Sequence, residues 1–204
     1  MSDLERFRAA YRRVEADGYN WQELDGVLYR MCAEMPDHSD PRQVIAKVGL
    51  INRGYRANLQ MGKAEAEWEL AQALVKSDFD THLKQLRGLK TFDAASAPAT
   101  MAAHAALVAL CQQATSRGAI SFASKYLAFH VRKVVPVFDS YAYDASWKLV
   151  GVGIERPLID GPTEPYGWHC AAVLRLADDL RAHGIEPDVK LIDVVLYGLN
   201  GGTG

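Results

Sequence analysis

Gly118-Ala119-Ile120-Ser121-Phe122-Ala123-Ser124-Lys125-Tyr126-Leu127-Ala128-Phe129-His130, followed by Val131-Arg132-Lys133-Val134-Val135-Pro136-Val137-Phe138-Asp139-Ser140-Tyr141-Ala142, is the stretch on which the reading of this chain turns. An alanine-rich helical pattern over 98–116 closes at Arg117-Gly118. A second pattern starts at once and carries Lys125 in its first turn or two. Pro136-Val137-Phe138 then reads as a short extended piece. It delivers Asp139, a favoured capping residue, to the start of a third helix over 139–149. Lys125 and Asp139 stand 14 residues apart. Helix, return and cap over that distance permit a close approach without forcing one.

Outward from this stretch, apolar residues recur every three or four positions, the period of a helix with one buried face. Leu4, Phe7, Tyr11 and Val14 mark a helix over 3–16, with Ser2 or Asp3 as cap and Gly18 as stop. Trp21, Leu24, Leu28 and Met31 share a face over 20–34. Asp40-Pro41 is a cap followed by proline at the first helical position, and Val44, Ile45, Val48 and Ile51 follow it inward. Further helices are predicted over 63–76, from Ser77-Asp78 to about Leu86, over 121–132, 166–183 and 187–198. In the first of these, 63–76, Trp68, Leu70 and Leu74 form the apolar face. Residues 151–165 hold three Gly and three Pro and read as a loop. Alternating strand patterns are nearly absent; Val134–Phe138 is the best extended segment. The expectation is one all-α domain over 1–204, of about nine or ten helices with a helix-hairpin-helix-like element.

Composition sets bounds on function. With 204 residues, 49% hydrophobic and 24% charged, the chain suits one globular core. No apolar run approaches the roughly 18–20 residues of a membrane helix, and residues 1–6 lack a signal-peptide pattern, so a cytoplasmic protein is expected. Three widely spaced cysteines, Cys32, Cys111 and Cys170, argue for reduced thiols and against a four-cysteine zinc or iron–sulfur site. No metal and no cofactor are predicted. Net charge is −2, but it is unevenly spread. Residues 41–64 contain five bases and no acid, and residues 117–154 are net +3. If these segments meet they make one positive face able to follow a phosphate backbone; otherwise they are separate solvated helix faces.

The hairpin turn at Gly118, Lys125 just after it, and Asp139 after Pro136-Val137-Phe138 resemble the helix-hairpin-helix DNA glycosylases, most closely the 8-oxoguanine DNA glycosylase fold group. The wording Ser121-Phe122-Ala123-Ser124-Lys125-Tyr126 with Phe138-Asp139-Ser140 is similar to that of small bacterial members. The specific likeness covers about 25 residues. It departs from the family where a second glycine is usual, since Ser121 and Ala123 stand there. The Lys-to-Asp spacing is also shorter than the family's, and the extended segment has one extra residue.

The resemblance implies a DNA glycosylase with associated lyase activity, acting as a monomer on a damaged or modified base flipped from duplex DNA, in repair or in defence against phage. Lys125 and Asp139 would be its catalytic pair. Cleavage of an N-glycosidic bond builds positive charge on the sugar, which the Asp139 carboxylate can stabilise. A lysine of lowered pKa can attack C1′ as a neutral amine and form a Schiff base. The flipped base needs a pocket, for which the nearby candidates are Phe122, Tyr126, Phe129, His130, Phe138 and Tyr141. Asn52, Arg53, Arg56, Arg117, Gly118, Ser121 and Arg132 are the candidate DNA contacts, with Asn52 and Arg53 placed to enter the gap left by the base.

Read without the resemblance, Asp139 is a cap, Lys125 a solvated lysine, the aromatics core residues, and His130, His169 and Cys170 structural. Trp168 and Tyr166 suit core or ligand equally. Two other functions stay open: a catalytically inactive nucleic-acid-binding module of the same fold, and an all-helical interaction protein.

Overall fold

The computed structural model describes residues 2–59 and 65–200. Its ten α-helices are α1 (Asp3–Asp17), α2 (Gln22–Glu34), α3 (Pro41–Gly54), α4 (Ala66–Lys76), α5 (Phe79–Arg87), α6 (Ala97–Thr115), α7 (Ile120–His130), α8 (Ser140–Val150), α9 (Glu164–Ala182) and α10 (Val189–Leu199). Among the described residues one 3-10 turn, Gly161–Thr163, lies in the Gly/Pro-rich loop before α9. No strand forms among the described residues. The chain is all-α, as its periodicity predicts.

Local chemistry sets several helix ends. Ser2 and Glu5 form a reciprocal capping box on α1, and Gly18 ends that helix at φ +78°. Asp40, Asp139 and Asp188 each accept a backbone N–H from the first turn of the helix they precede. The end of α6 differs from expectation. Ser116, not Gly118, takes the left-handed conformation there (φ +62°), and its N–H bonds to the Gln112 carbonyl. Gly118 keeps ordinary φ; an added Cβ would stand 3.1 Å from Val108 Cγ1. The predicted start of α4 at 63 lies outside the described residues.

The helices enclose two apolar cores. One is built by α2 to α7, with Leu28, Val48, Ile51, Leu70, Leu83 and Tyr126 all but closed to solvent. The other joins α1, α8, α9 and α10 around Phe7, Tyr166, Leu176 and Leu196. The 19-residue α6 supplies buried residues to both, Leu107 and Cys111 to the first, Ala97 and Met101 to the second. The first and last parts of the chain are sutured together. Tyr11 donates to the Glu186 carbonyl and accepts the Asp188 N–H, and Arg8 grips Asp179 through both carboxylate oxygens at 2.9 Å.

Two tryptophans depart from the inward faces assigned to them. Trp21 is 49% and Trp68 52% exposed. Trp21 sits at the N-cap of α2 with its ring against Tyr55, so the helix buries Leu28 and Cys32 instead. On α4 the buried stripe is Ala66, Leu70, Ala71 and Leu74, which leaves Trp68 on the outer side.

Val134 ends a turn and residues 135–138 take no regular secondary structure; side chains satisfy much of their backbone. Thr100 donates to the Val134 carbonyl (2.9 Å), Tyr166 to Pro136 (3.0 Å) and the His169 Nε2–H to Val137 (3.0 Å). Ser124 Oγ on α7 accepts the Phe138 N–H at 2.9 Å. Residues from α6, α7 and α9 therefore hold the segment that sets Asp139 in place.

Candidate functional site

Ser121, Lys125 and Phe129 succeed one another at four-residue steps and line one face of α7. Lys125 is 7% exposed, and its Nζ donates to Ser121 Oγ at 3.1 Å, its one hydrogen-bond partner among the described residues. Burial lowers the Lys125 pKa, against the opposing pull of the Asp139 and Asp193 charges. Asp139 is half-buried. Its Oδ1 caps α8 by accepting the Ala142 N–H at 2.8 Å, and its charge bears on Lys125.

α10 and α2 complete the cluster with three groups that the sequence reading passes over. Asp193 on α10 is 8% exposed; Oδ2 lies 3.4 Å from Lys190 Nζ, while Oδ1 has no hydrogen-bond partner among the described residues. Lys190 Nζ reaches Asp25 Oδ2 on α2 at 3.0 Å. Asp25 is buried as well and accepts from the hydroxyls of Tyr19 (2.8 Å) and Tyr55. Burial raises Asp193 to about 6, helped by Asp139 and resisted by Lys190 and Lys125. Burial also works to discharge Lys190, but Asp193 and Asp25 outweigh it and hold that ammonium firmly protonated. Asp193 had one visible signal: it is an acid inside Leu191-Ile192-Asp193-Val194-Val195-Leu196.

The candidate aromatics divide between the faces of α7 and α8. Phe129, one turn after Lys125, is buried in the first core, with Tyr29 and Tyr55 at 5.0 and 5.1 Å between ring centres. Phe122 and Tyr126 point into the first core with no exposed surface. Tyr126 accepts or donates at 2.8 Å with His38 Nε2, whose other nitrogen meets Asp80. His130 packs on Tyr126 and His38, with both ring nitrogens buried and unpartnered among the described residues. Burial holds it neutral. Phe138 turns into the second core against Tyr143, Tyr166 and His169. Tyr141, 48% exposed, sits edge-on to Tyr197 of α10. Tyr166 is a core residue stacked on His104 at 3.7 Å; Trp168 is half-buried and donates to Glu164.

The candidate DNA contacts are also divided. Arg117, Gly118, Arg56, Arg53 and Arg132 are exposed. Arg53 pairs with Glu67 at 2.7 Å, and Arg132 with Asp188 at 2.9 Å while lying over the Tyr29 ring. Asn52 is buried: Nδ2 donates to Glu67 at 2.9 Å and Oδ1 accepts the Leu59 N–H at 3.0 Å. It braces the turn after α3 and presents no free end to a partner. Lys47, part of the acid-free run, is buried too and donates to the Met35 and Asp37 carbonyls.

Among the described residues no three His, Cys, Asp or Glu side chains are grouped to hold a metal ion. Nor is any described helix long and apolar enough to cross a membrane.

A family model, HI_0787_N, described as an N-terminal domain, matches residues 6–134. The chain belongs to the HI_0787_N family. The HI_0787_N match runs from α1 through α7, so it takes in Asp25, Ser121 and Lys125 and ends before Asp139, Lys190 and Asp193. Comparison with curated proteins and with solved structures returned no match.

Proposed function

We propose that this protein is a DNA N-glycosylase with an associated lyase activity, acting on a base flipped out of the duplex. The observation that carries the proposal is the Lys125 amine. It is buried, it has one neutral hydrogen-bond partner, and it lies in the field of the Asp139 carboxylate at a helix cap. Desolvation makes the neutral amine accessible, as a nucleophile requires. Asp139 spends one oxygen on the Ala142 N–H, which fixes the carboxylate and leaves its charge to stabilise a cationic sugar. Attack of Nζ on C1′ would expel the base and form the imine from which β-elimination cuts the strand. Arg56 and Arg117 are exposed cations suited to phosphates, and Arg53 and Arg132, exposed as well, are shared with Glu67 and Asp188. A cytoplasmic monomer serving repair or defence against phage belongs to the same reading.

The decisive experiment incubates the protein with duplexes carrying different modified bases and scores abasic sites, strand breaks and borohydride-trapped adducts. Excision with trapping that disappears in Lys125→Ala supports the proposal. A folded wild-type protein that neither excises nor traps on any duplex, nor on pre-formed abasic DNA, would refute it.

A further inference from the structure

We propose that Tyr143, Trp147 and Trp168 form a docking slot for an arginine side chain of a partner protein. The inference concerns the outer side of α8 and α9 and does not rest on the glycosylase reading.

The slot is built from α8 outward. Tyr143, Trp147 and Gly151 follow one another at four-residue steps, so they share one side of that helix. Trp147 is 39% exposed, although so large an apolar ring gains most by burial. Gly151 fixes where the ring lies. A Cβ there would stand 2.6 and 2.8 Å from Cδ2 and Cε2 of Trp147, the two atoms of the ring fusion. An atom comes that close to both only from above or below the ring plane. The glycine therefore covers one face of the indole, and a side chain at this position would collide with it. Tyr143, one turn before Trp147 where Gly151 is one turn after, holds its ring nearly parallel to the indole. The planes are 18° apart and the centres 6.4 Å. Phe138 backs the phenol at 5.6 Å. Trp168 on α9 stands edge-on to Trp147, at 87° and 5.4 Å, with its indole N–H pinned to Glu164 Oε1 at 3.0 Å.

Two parallel rings select a flat ligand. Enclosing one takes about 7 Å between the rings, two van der Waals separations, so the pair has only to part by about half an ångström. Charge selects a cation. Residues 139–168 carry five acids and two bases. Of the acids, Glu164 sits at the edge of Trp168, and exposed Asp144 lies three residues before Trp147, on the neighbouring helical position. The protein's own cations nearby are occupied. Lys148 donates to Asn200, and Arg175 to the Val150 and Val152 carbonyls. Among the described residues no cation lies over any of the three rings.

A flat cation that stacks on tryptophan and tyrosine and gives its N–H groups to carboxylates is a guanidinium. A nucleotide matches the rings, but its phosphate meets the same acids with the wrong sign. Trp, Tyr and Arg are also the side chains that most often dominate the energy of protein interfaces.

The test follows the indole N–H signals of the intact protein by NMR, with Trp147→Phe and Trp168→Phe for assignment. The probes are a capped glycine peptide with one central arginine, the same peptide with lysine, and deoxyadenosine monophosphate. The arginine peptide should shift the Trp147 and Trp168 signals and leave those of Trp21 and Trp68 in place. Lysine should bind about threefold more weakly or worse. Glu164→Gln retains an oxygen for Trp168 and removes the charge, so arginine affinity should fall about two- to fivefold with melting unchanged. Tyr143→Leu opens the slot and should abolish the preference for arginine over lysine. Signals of Trp147 and Trp168 that ignore the arginine peptide would overturn the inference. So would equal binding of lysine by the wild type, or a stronger response to the nucleotide than to the peptide. None of these readouts involves base excision, so failure of the glycosylase reading leaves the slot untouched, and the reverse holds as well.

Discussion

Lys190 Nζ lies 3.0 Å from Asp25 Oδ2, and both side chains are buried. The pair joins α10 in one core to α2 in the other, so the last helix is fastened to the wall of the site by charge as well as by packing. Replacing Lys190 with Met should destabilise the fold by about 3–5 kcal/mol, because Asp25 is then buried without its cation. The double variant with Asp25→Asn should recover part of that loss. Urea unfolding of the two variants checks both, and equal stabilities would show that the unpaired charge is not the cause.

Lys125→Ala should remove Schiff-base trapping while leaving a folded protein. The substitution removes a costly buried amine and one hydrogen bond to Ser121, so stability should change by no more than about 1–2 kcal/mol. Melting and trapping are measured on the same preparation. Persistent trapping in a folded Lys125→Ala protein would assign the nucleophile elsewhere.

Asp139→Asn separates two roles. Asparagine retains an oxygen for the Ala142 N–H, so melting should stay near the wild-type value. Loss of the charge beside a developing sugar cation should slow excision by about a hundredfold or more, with ~1.4 kcal/mol for each tenfold. Normal melting together with normal excision would leave Asp139 as a cap alone.

Stability should fall as the pH is lowered below about 6.5. Burial depresses His104 to about 3 and His169 to about 4, so both stay neutral in the fold while the unfolded chain takes up protons near 6.5. Each therefore contributes stability above 6.5, lost at about 1.4 kcal/mol per pH unit down to its own folded value. Asp193 acts in the opposite sense: its folded pKa is raised to about 6, so it favours the fold at low pH and loses that effect as pH rises from the ordinary carboxylate range through 6. Two depressed histidines outweigh one raised acid between pH 6 and 4.5. Urea midpoints over pH 4.5–8 read the slope, and a flat profile would contradict neutral buried histidines.

Arg132→Ala and Arg117→Ala should each weaken binding to unrelated duplex sequences and reduce the slope of log affinity against log salt by about one. The Arg132 effect should be the smaller, since its guanidinium is partly committed to Asp188. Affinity indifferent to salt would remove the phosphate-tracking face from the proposal.

The sequence by itself determined the helices. Ser2 with Glu5, Asp40 before Pro41, Asp139 and Asp188 are local signals, and each bonds within a few residues of its own position. The Lys125 and Asp139 neighbourhood was legible for the same reason, since only 14 residues separate them, and Ser124 Oγ bonds to the Phe138 N–H between them. Only the tertiary structure decided which side of each helix faces the site. Phe122 and Phe129 stand two turns apart on one side of α7, and both are buried in the first core, where packing with α2 and the turn after α3 sets Phe129 against Tyr29 and Tyr55. Periodicity finds an apolar face but does not say which neighbour covers it, and so Trp21 and Trp68 emerge at the surface. Asp25, Lys190 and Asp193 come together from opposite ends of the chain. Their charges, unlike a cap, have meaning only through the partners that folding brings within a few ångströms.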